Sequence, residues 1–266
     1  MPSKSLSRPL LILIASCWAA TAAAQSRPAA EPFEITDNSF LVEEAFNQEP
    51  RVFQNIATWT HIEGAWIAGF TQEWPLFTMR HQLSYTVPFG GADGNTNLGP
   101  IFLNYRLQVL SESPGQPAFS PRFSVVLPTG TGGTLEDRAG VQLNLPFSKQ
   151  HGDFYYHWNA GLTWLPEVPA NAQKVNLTSP QVAGSVIWRL RPMLNLMLET
   201  VLLWAATPDD EGNAFHTRAL TVSPGFRHGW NIGEKQIVVG LASPITRVDS
   251  DNSIGVLTYF SYEGPF

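Results

Sequence analysis

The chain has 266 residues, a formal net charge of −6 and a single cysteine. Only 14% of its residues are charged although 44% are hydrophobic, whereas a water-soluble domain normally carries about a quarter charged residues. The low charge favours a protein whose surface meets lipid, and the acidic balance without a basic stripe excludes nucleic acid as a partner.

Residues 1–24 are predicted to be a cleaved signal peptide. Lys4 and Arg8 form a basic start, residues 10–20 are apolar, and the three alanines at 22–24 match a signal-peptidase site. The apolar stretch is too short to cross the membrane as a helix, which takes about 20 residues. The alternative is a lipoprotein signal in which Cys17 is lipidated.

From residue 52 to the end, apolar and polar residues alternate, which predicts β-strands with one apolar and one polar face. We expect Leu103, Tyr105, Leu107, Leu143, Leu145, Trp158 and Leu162 on the outer face, and Asn104, Arg106, Asn144, His157 and Asn159 on the inner face. The lengths fit a single antiparallel transmembrane β-barrel of about twelve strands, all-β, over residues 52–266. The predicted strands are 52–61, 65–74, 80–89, 98–110, 119–128, 139–148, 154–165, 179–190, 194–206, 217–228, 236–246 and 254–266.

The connections between these strands fall into two alternating sets. The set that includes 90–97 and 166–178 is predicted to be longer and richer in Gly, Asp, Asn and Thr, as expected of outer loops, whereas periplasmic turns are short. An even number of strands places both termini in the periplasm. Aromatic residues near strand ends predict interfacial girdles: Trp59, Trp74, Phe89, Trp164, Trp188, Trp204, Tyr259 and Tyr262. A soluble β-sandwich or lipocalin-like barrel is the alternative, because it also alternates.

Charged and polar residues of the inner face are candidate lining residues of the lumen: Glu73, Arg106, Arg122, His157, Asn159, Arg189, Glu199 and Arg227. They would either set selectivity or form a structural ion-pair network. Residues 25–51 form a separate unit, a plug or a periplasmic tail. The plug is favoured by the aromatic and acidic residues Phe40, Glu43, Glu44 and Phe46 within 33–50.

The C-terminus carries a predicted assembly signal formed by Phe260, Tyr262 and Phe266, which alternate on one face. Gly264-Pro265 is expected to end the hydrogen bonding of the last strand near Glu263. These features predict outer-membrane lipid and the barrel-assembly machinery as partners.

Several stretches resemble the bacterial outer-membrane proteins of the MetA pathway of phenol degradation, a transporter family. The resemblance is carried by DNSFLVEEAFNQEP at 37–50, FTQEWP at 70–75, RHQLSY at 80–85, NYR at 104–106, PRF at 121–123, LPTG at 127–130 and HWNAG at 157–161. It implies a barrel with a transport role and no catalytic residues.

The favoured function is therefore a passive, porin-like channel in the Gram-negative outer membrane for a small solute, aromatic or apolar molecules included. The alternative is a non-conducting barrel with a structural or adhesive role. A membrane-embedded lipid-modifying enzyme is least favoured, because no hydrolase, metalloprotease or nucleotide-binding motif is present and no serine partner for His157 can be identified. No cofactor and no metal are expected.

Overall fold

The computed structural model describes residues 34, 35, 37, 39–133, 135, 137–171 and 173–266. The predicted signal peptide, residues 1–24, and the first part of the 25–51 unit lie outside the described residues. Within the described ranges, no helix is long and apolar enough to cross a membrane.

The described chain forms fifteen β-segments in sequence order. They are β1 (Val52–Ile62), β2 (Ala65–Leu76), β3 (Thr78–Ala92), β4 (Asn95–Leu98), β5 (Phe102–Leu107), β6 (Ala118–Phe119), β7 (Arg122–Val126), β8 (Gly140–His151), β9 (Phe154–Ala170), β10 (Gln173–Arg191), β11 (Leu194–Pro208), β12 (Ala214–Ile232), β13 (Lys235–Ala242), β14 (Ile245–Val248) and β15 (Asp251–Pro265).

These segments form one closed, twelve-stranded antiparallel barrel. Consecutive strands pair, and β1 pairs with β15 from Val52↔Pro265 to Ile62↔Gly255, which closes the sheet. Three of the twelve strands are interrupted, so that each consists of two segments. These pairs of segments are β4 with β5, β6 with β7, and β13 with β14, and the two segments of each pair bind the same neighbouring strand. The predicted barrel and its strand number are confirmed.

A proline lies in each of the three interruptions, namely Pro100, Pro121 and Pro244. Proline has no N–H to donate and therefore breaks the strand ladder locally. Its carbonyl remains available: Leu107 N–H donates to the Pro121 carbonyl at 3.1 Å and Gly255 N–H to the Pro244 carbonyl at 2.8 Å. The interrupted strands thus keep their place in the barrel.

Several predicted loops are tight turns between long strands. Glu63-Gly64 and Asp93-Gly94 have positive φ at both residues, 48° and 81° in the first pair and 53° and 80° in the second. That geometry belongs to the two-residue turns whose twist matches paired strands. Most of 90–97 and 166–178 is therefore strand, and the predicted difference in length between the two sets of connections is wrong.

The predicted alternation of faces is confirmed. Leu103 and Trp158 point outward, 49% and 41% exposed, whereas Asn104 and His157 point inward and are buried. Leu143 and Leu162 are likewise exposed, Tyr105 is at the margin of exposure, Leu107 and Leu145 are half-buried, and Arg106, Asn144 and Asn159 are buried. The outer face is thus an apolar band.

Two details of the predictions are wrong. Tyr259 does not belong to an aromatic girdle, because it points into the barrel and is 1% exposed. The last strand also continues past Glu263: Val52 pairs with Pro265, and Phe266 N–H donates to the Arg51 carbonyl at 2.9 Å. Pairing with β13 ends at Gln236↔Glu263, so the N–H group that Pro265 lacks is not needed for a strand bond on that side.

Candidate functional site

The described residues from Glu34 to Pro50, here called the inner segment, cross the inside of the barrel. The four predicted plug residues Phe40, Glu43, Glu44 and Phe46 are all buried. Their partners are inward-facing side chains from strands on every side of the barrel. None of the inner segment belongs to a β-segment, so it is held by side chains and its own backbone polar groups.

Glu199 on β11 binds the backbone of the inner segment. The N–H groups of Phe40, Leu41 and Val42 point at its carboxylate at 3.3, 2.8 and 3.0 Å. Three successive N–H groups that converge on one anion form a concave, locally positive site. Glu199 is fully buried, and these three donors compensate much of the loss of water around it.

Phe40 fixes the same part of the inner segment by apolar contact. Its ring stacks on Tyr259 with centroids 4.8 Å apart. A Cβ atom at Gly240 would lie 2.1 Å from the ring, so only glycine leaves room for it there. Phe40 joins a buried apolar cluster with Ile35, Leu41, Ile56, Tyr155, Ile187, Met197, Val201, Val238, Ala242, Leu257 and Tyr259.

The Glu43 carboxylate is bound by three side chains of the opposite wall. Arg122 Nε lies 3.0 and 2.9 Å from its two oxygens, and Arg106 Nη1 donates at 3.2 Å. Asn144 Nδ2 donates to Oε2 as well. All four residues are at most 2% exposed, so this is a buried ion-pair network rather than a surface salt bridge.

Arg106 binds further groups of the inner segment. Its Nε donates to Asn47 Oδ1 at 3.0 Å, and its Nη1 donates to the Glu44 carbonyl at 3.1 Å. Its Nη2 lies 3.9 Å from Glu73. Glu73 is linked to the segment through Gln82, which donates to it at 2.8 Å and accepts from Gln48 N–H at 2.8 Å.

Side chains of β8, of β9 and of the junction between β6 and β7 satisfy the backbone around residue 44. Asn159 accepts from Glu43 N–H at 2.8 Å and donates to the Glu43 carbonyl at 2.7 Å, as a neighbouring strand would. Ser148 accepts from Ala45 N–H, and Ser120 donates to the Ala45 carbonyl, both at 2.8 Å. These bonds explain how a stretch without strand pairing remains buried.

His157 lies between Ser148 and Glu44. Its Nδ1 is 2.8 Å from Ser148 Oγ, and its Nε2 is 3.4 Å from Glu44 Oε1. A serine, a histidine and a carboxylate in this order can form a nucleophilic relay. In this structure Ser148 also accepts a hydrogen bond from the inner segment, and Glu44 is part of that segment. The three side chains therefore hold the segment in place. Ser148 was missed because its strand position gives no signal of a pairing with His157.

Asp37 is the main contact of the other end of the inner segment, and sequence reasoning missed it. Its carboxylate accepts from Gln54 and Tyr259 at 2.6 Å each, and from Ser261. Arg227 donates to its carbonyl at 2.5 Å. Asp37 lies in the stretch that carries the family resemblance, which was the one available signal.

Arg189 lies at the edge of the site, where the inner segment enters the barrel. It is paired with Glu34 at 2.7 Å and Asp153 at 2.8 Å, and its side chain is 24% exposed. Seven of the eight candidate lining residues thus touch the inner segment through contacts given above, and Glu73 reaches it through Gln82. Within the described part of the chain, no group of three or more His, Cys, Asp or Glu side chains could hold a metal ion.

No known family model and no curated protein matches the sequence. Among solved structures, the chain is similar to the COG4313 outer membrane channel from Pseudomonas putida F1, with a TM-score of 0.62, 12% identity, and coverage of 82% of this chain and 97% of that one. It is also similar to the NanC porin, with a TM-score of 0.50, 7% identity, and coverage of 79% and 98%. The chain therefore has the fold of outer-membrane β-barrels.

Proposed function

We propose that this protein is a channel of the Gram-negative outer membrane that passes a small solute when the inner segment leaves its place in the lumen. Outer-membrane lipid surrounds the apolar band, and the barrel-assembly machinery inserts the chain. The proposal is supported by the outward apolar face, by the polar inner wall, and by two similar structures whose names describe a channel and a porin.

One observation carries the proposal: the barrel is complete without the inner segment. All twelve strands pair with two neighbours, and β1 closes on β15. The segment contributes no strand to this sheet, so its departure breaks side-chain contacts and leaves the ladder intact. An element of this kind can open locally at a lower free energy than the fold as a whole.

The solute class follows from the wall that the segment covers. The wall side chains that pack on Phe40 and Leu41 would face the lumen once the segment has left, and this apolar surface fits small aromatic or apolar molecules. The resemblance to the phenol-degradation family agrees with this class.

The test is conductance in planar lipid bilayers and solute flux into liposomes. We expect the full chain to conduct weakly and a deletion of residues 34–50 to conduct strongly, because a twelve-stranded barrel lies between filled barrels of about eight strands and open ones of 16–18. The control variant shortens the exposed periplasmic turn at 111–116, which removes chain without uncovering the lumen.

A non-conducting structural barrel remains the competing function, and the dense hydrogen bonding of the inner segment favours it. Equal conductance of the full chain and the deletion would contradict the closure of the lumen by the segment. Absence of flux in every variant would decide for the structural role. In an open channel, Arg106→Ala should shift ion selectivity toward cations, because it removes a buried positive charge from the wall.

A further inference from the structure

Two arginines lie side by side on the inner wall. Arg106 on β5 and Arg122 on β7 are register partners on neighbouring strands, and both are nearly fully buried. Like charges directly opposite each other destabilise a sheet, and a buried charge is stable only when it is paired. This part of the wall therefore requires an anion near it.

The inner segment supplies that anion. Glu43 lies across both guanidinium groups, with Arg122 Nε 2.9 Å from one oxygen and Arg106 Nη1 3.2 Å from the other. On the wall itself, Arg122 Nη1 donates to the neutral Asn104 Oδ1 at 3.0 Å, and the carboxylate of Glu73 lies 3.9 Å from Arg106 Nη2. Glu43 of the inner segment is closer and contacts both arginines, so it carries a large part of the charge that balances the pair.

The donors around Glu43 form a complete receptor for a carboxylate. Two guanidinium groups and the Asn144 amide donate to its two oxygens, and hydrogen bonds between charged groups are stronger than neutral ones. All three donor side chains belong to the barrel wall, on β5, β7 and β8, and none belongs to the inner segment.

We propose that Arg106, Arg122 and Asn144 form a carboxylate-binding site in the lumen, and that Glu43 occupies it as an internal substitute for a small organic carboxylate. This inference rests on the proposed function, because the solute reaches the site only when the segment moves. Solute and Glu43 compete for the same donors, so the carboxylate favours the state in which the segment is out.

Glu199 offers a control position for the carboxylate-binding site, because its donors differ from those of Glu43. It also binds the inner segment through a buried carboxylate, but its donors are the N–H groups of residues 40–42. Those donors leave with the segment, so at this place the wall contributes the carboxylate and the segment contributes its N–H donors. A change to glutamine at residue 199 removes the charge, keeps an oxygen acceptor for these N–H groups and leaves Glu43 bound to the two arginines.

The strength of the competition can be bounded. A tethered group acts at an effective concentration in the millimolar range, and a binding-competent state that is rarely populated weakens the apparent affinity by its population. Removal of the Glu43 charge should therefore tighten the apparent Kd for a free carboxylate by about tenfold to a hundredfold.

The experiment measures benzoate binding by calorimetry to the full chain in detergent micelles, with benzamide as the uncharged probe of the same shape. We expect Glu43→Gln to bind benzoate at least tenfold more tightly than the parent, because a neutral amide competes poorly for two arginines. Glu199→Gln, the same chemical change on the other wall, should remain within about threefold of the parent. Benzamide should bind none of the three differently.

A second measurement keeps the test independent of how well the variants fold. In the parent protein, benzoate at millimolar concentration should speed hydrogen exchange of the amides of residues 40–45, and benzamide should not. Equal benzoate affinity of the parent and Glu43→Gln, or an equal response to both probes, would overturn the site. Tighter benzoate binding in Glu43→Gln without liposome flux in any variant would leave the site standing and refute the channel.

Discussion

The two halves of the inner segment, residues 39–42 and 43–48, are held in the barrel by different kinds of interaction. Residues 39–42 pack against apolar side chains of β11, β13 and β15, where Phe40 stacks on Tyr259. Residues 43–48 lie against β3, β5, β7, β8 and β9, where Glu43 is bound by Arg106, Arg122 and Asn144. The first half is stabilised by burial of apolar side chains, together with the three N–H bonds of its backbone to Glu199. The second half is stabilised by bonds between buried charged and polar side chains.

Because the two halves are bound differently, we expect them to control different aspects of the opening of the segment. Apolar burial is non-directional, and its loss depends on how well neighbours collapse into the space. A buried ion pair contributes little net free energy while intact, yet the loss of one partner leaves an uncompensated charge. The apolar half therefore sets how firmly the segment is bound, whereas the charged half sets which chemical species can release it.

The largest effect is expected from Arg122→Ala. It removes one partner of a buried ion pair and should lower the free energy of local opening of the inner segment by about 3–5 kcal/mol. The measurement is hydrogen exchange of the amides of residues 40–45. Glu43→Ala added to Arg122→Ala should cost less than the sum of the two single changes, because the pair acts as one unit. Additive effects would contradict the coupling.

Phe40→Ala tests the apolar half and should lower the same opening free energy by about 3 kcal/mol, since truncation of a buried phenylalanine costs transfer and cavity free energy. Gly240→Ala should also loosen this half, because its Cβ would lie 2.1 Å from the Phe40 ring. In the double variant the alanine at 240 should be nearly neutral. If Gly240→Ala is as costly without the Phe40 ring as with it, the ring contact is not its cause.

The barrel could be predicted from the sequence because a membrane-spanning strand leaves little freedom. Period-two alternation fixes which side chains face lipid, so residues such as Leu103 and Asn104 were assigned to the correct faces from the sequence alone. The ends of the strands could not be predicted as well. Turn pairs such as Asp93-Gly94 are polar and read as loops, although their backbone continues the hairpin.

The partners inside the barrel were harder to predict, because they lie far apart in sequence. Alternation places Glu199 and Arg122 on the inner face, but nothing local indicates that one binds amides of residues 40–42 and the other Glu43. Tyr259 was assigned to the wrong face because aromatic residues near a strand end suit both a lipid interface and a buried contact. Such choices depend on the packed structure as a whole.

A smaller effect is expected from Asn159→Ala, which changes no charge. The variant leaves the buried N–H and carbonyl of Glu43 without their side-chain partner, and we expect a loss of about 1–3 kcal/mol in opening free energy. Asn159→Asp is the matched control, since it keeps the acceptor but adds a charge near Glu43 and should be worse. If Asn159→Ala matched Arg122→Ala in cost, the charge of Arg122 would not account for the larger effect expected of its removal.

The smallest effect on folded stability is expected from deletion of Phe266. The residue is 68% exposed, its ring centroid lies 6.5 Å from that of Phe53, and its N–H donates to the Arg51 carbonyl at the end of the last strand. Its loss should therefore change the free energy of unfolding by no more than about 1 kcal/mol. Its position after the last strand nevertheless fits an assembly signal, together with the outward-facing Phe260 and Tyr262. We therefore expect slower insertion and lower outer-membrane levels in cells, with nearly unchanged denaturation of the purified, folded protein.

Phe77→Ala, at an even more exposed turn residue, is the control for loss of a surface aromatic. Parent-like membrane levels of the deletion would show that assembly does not depend on the terminal residue.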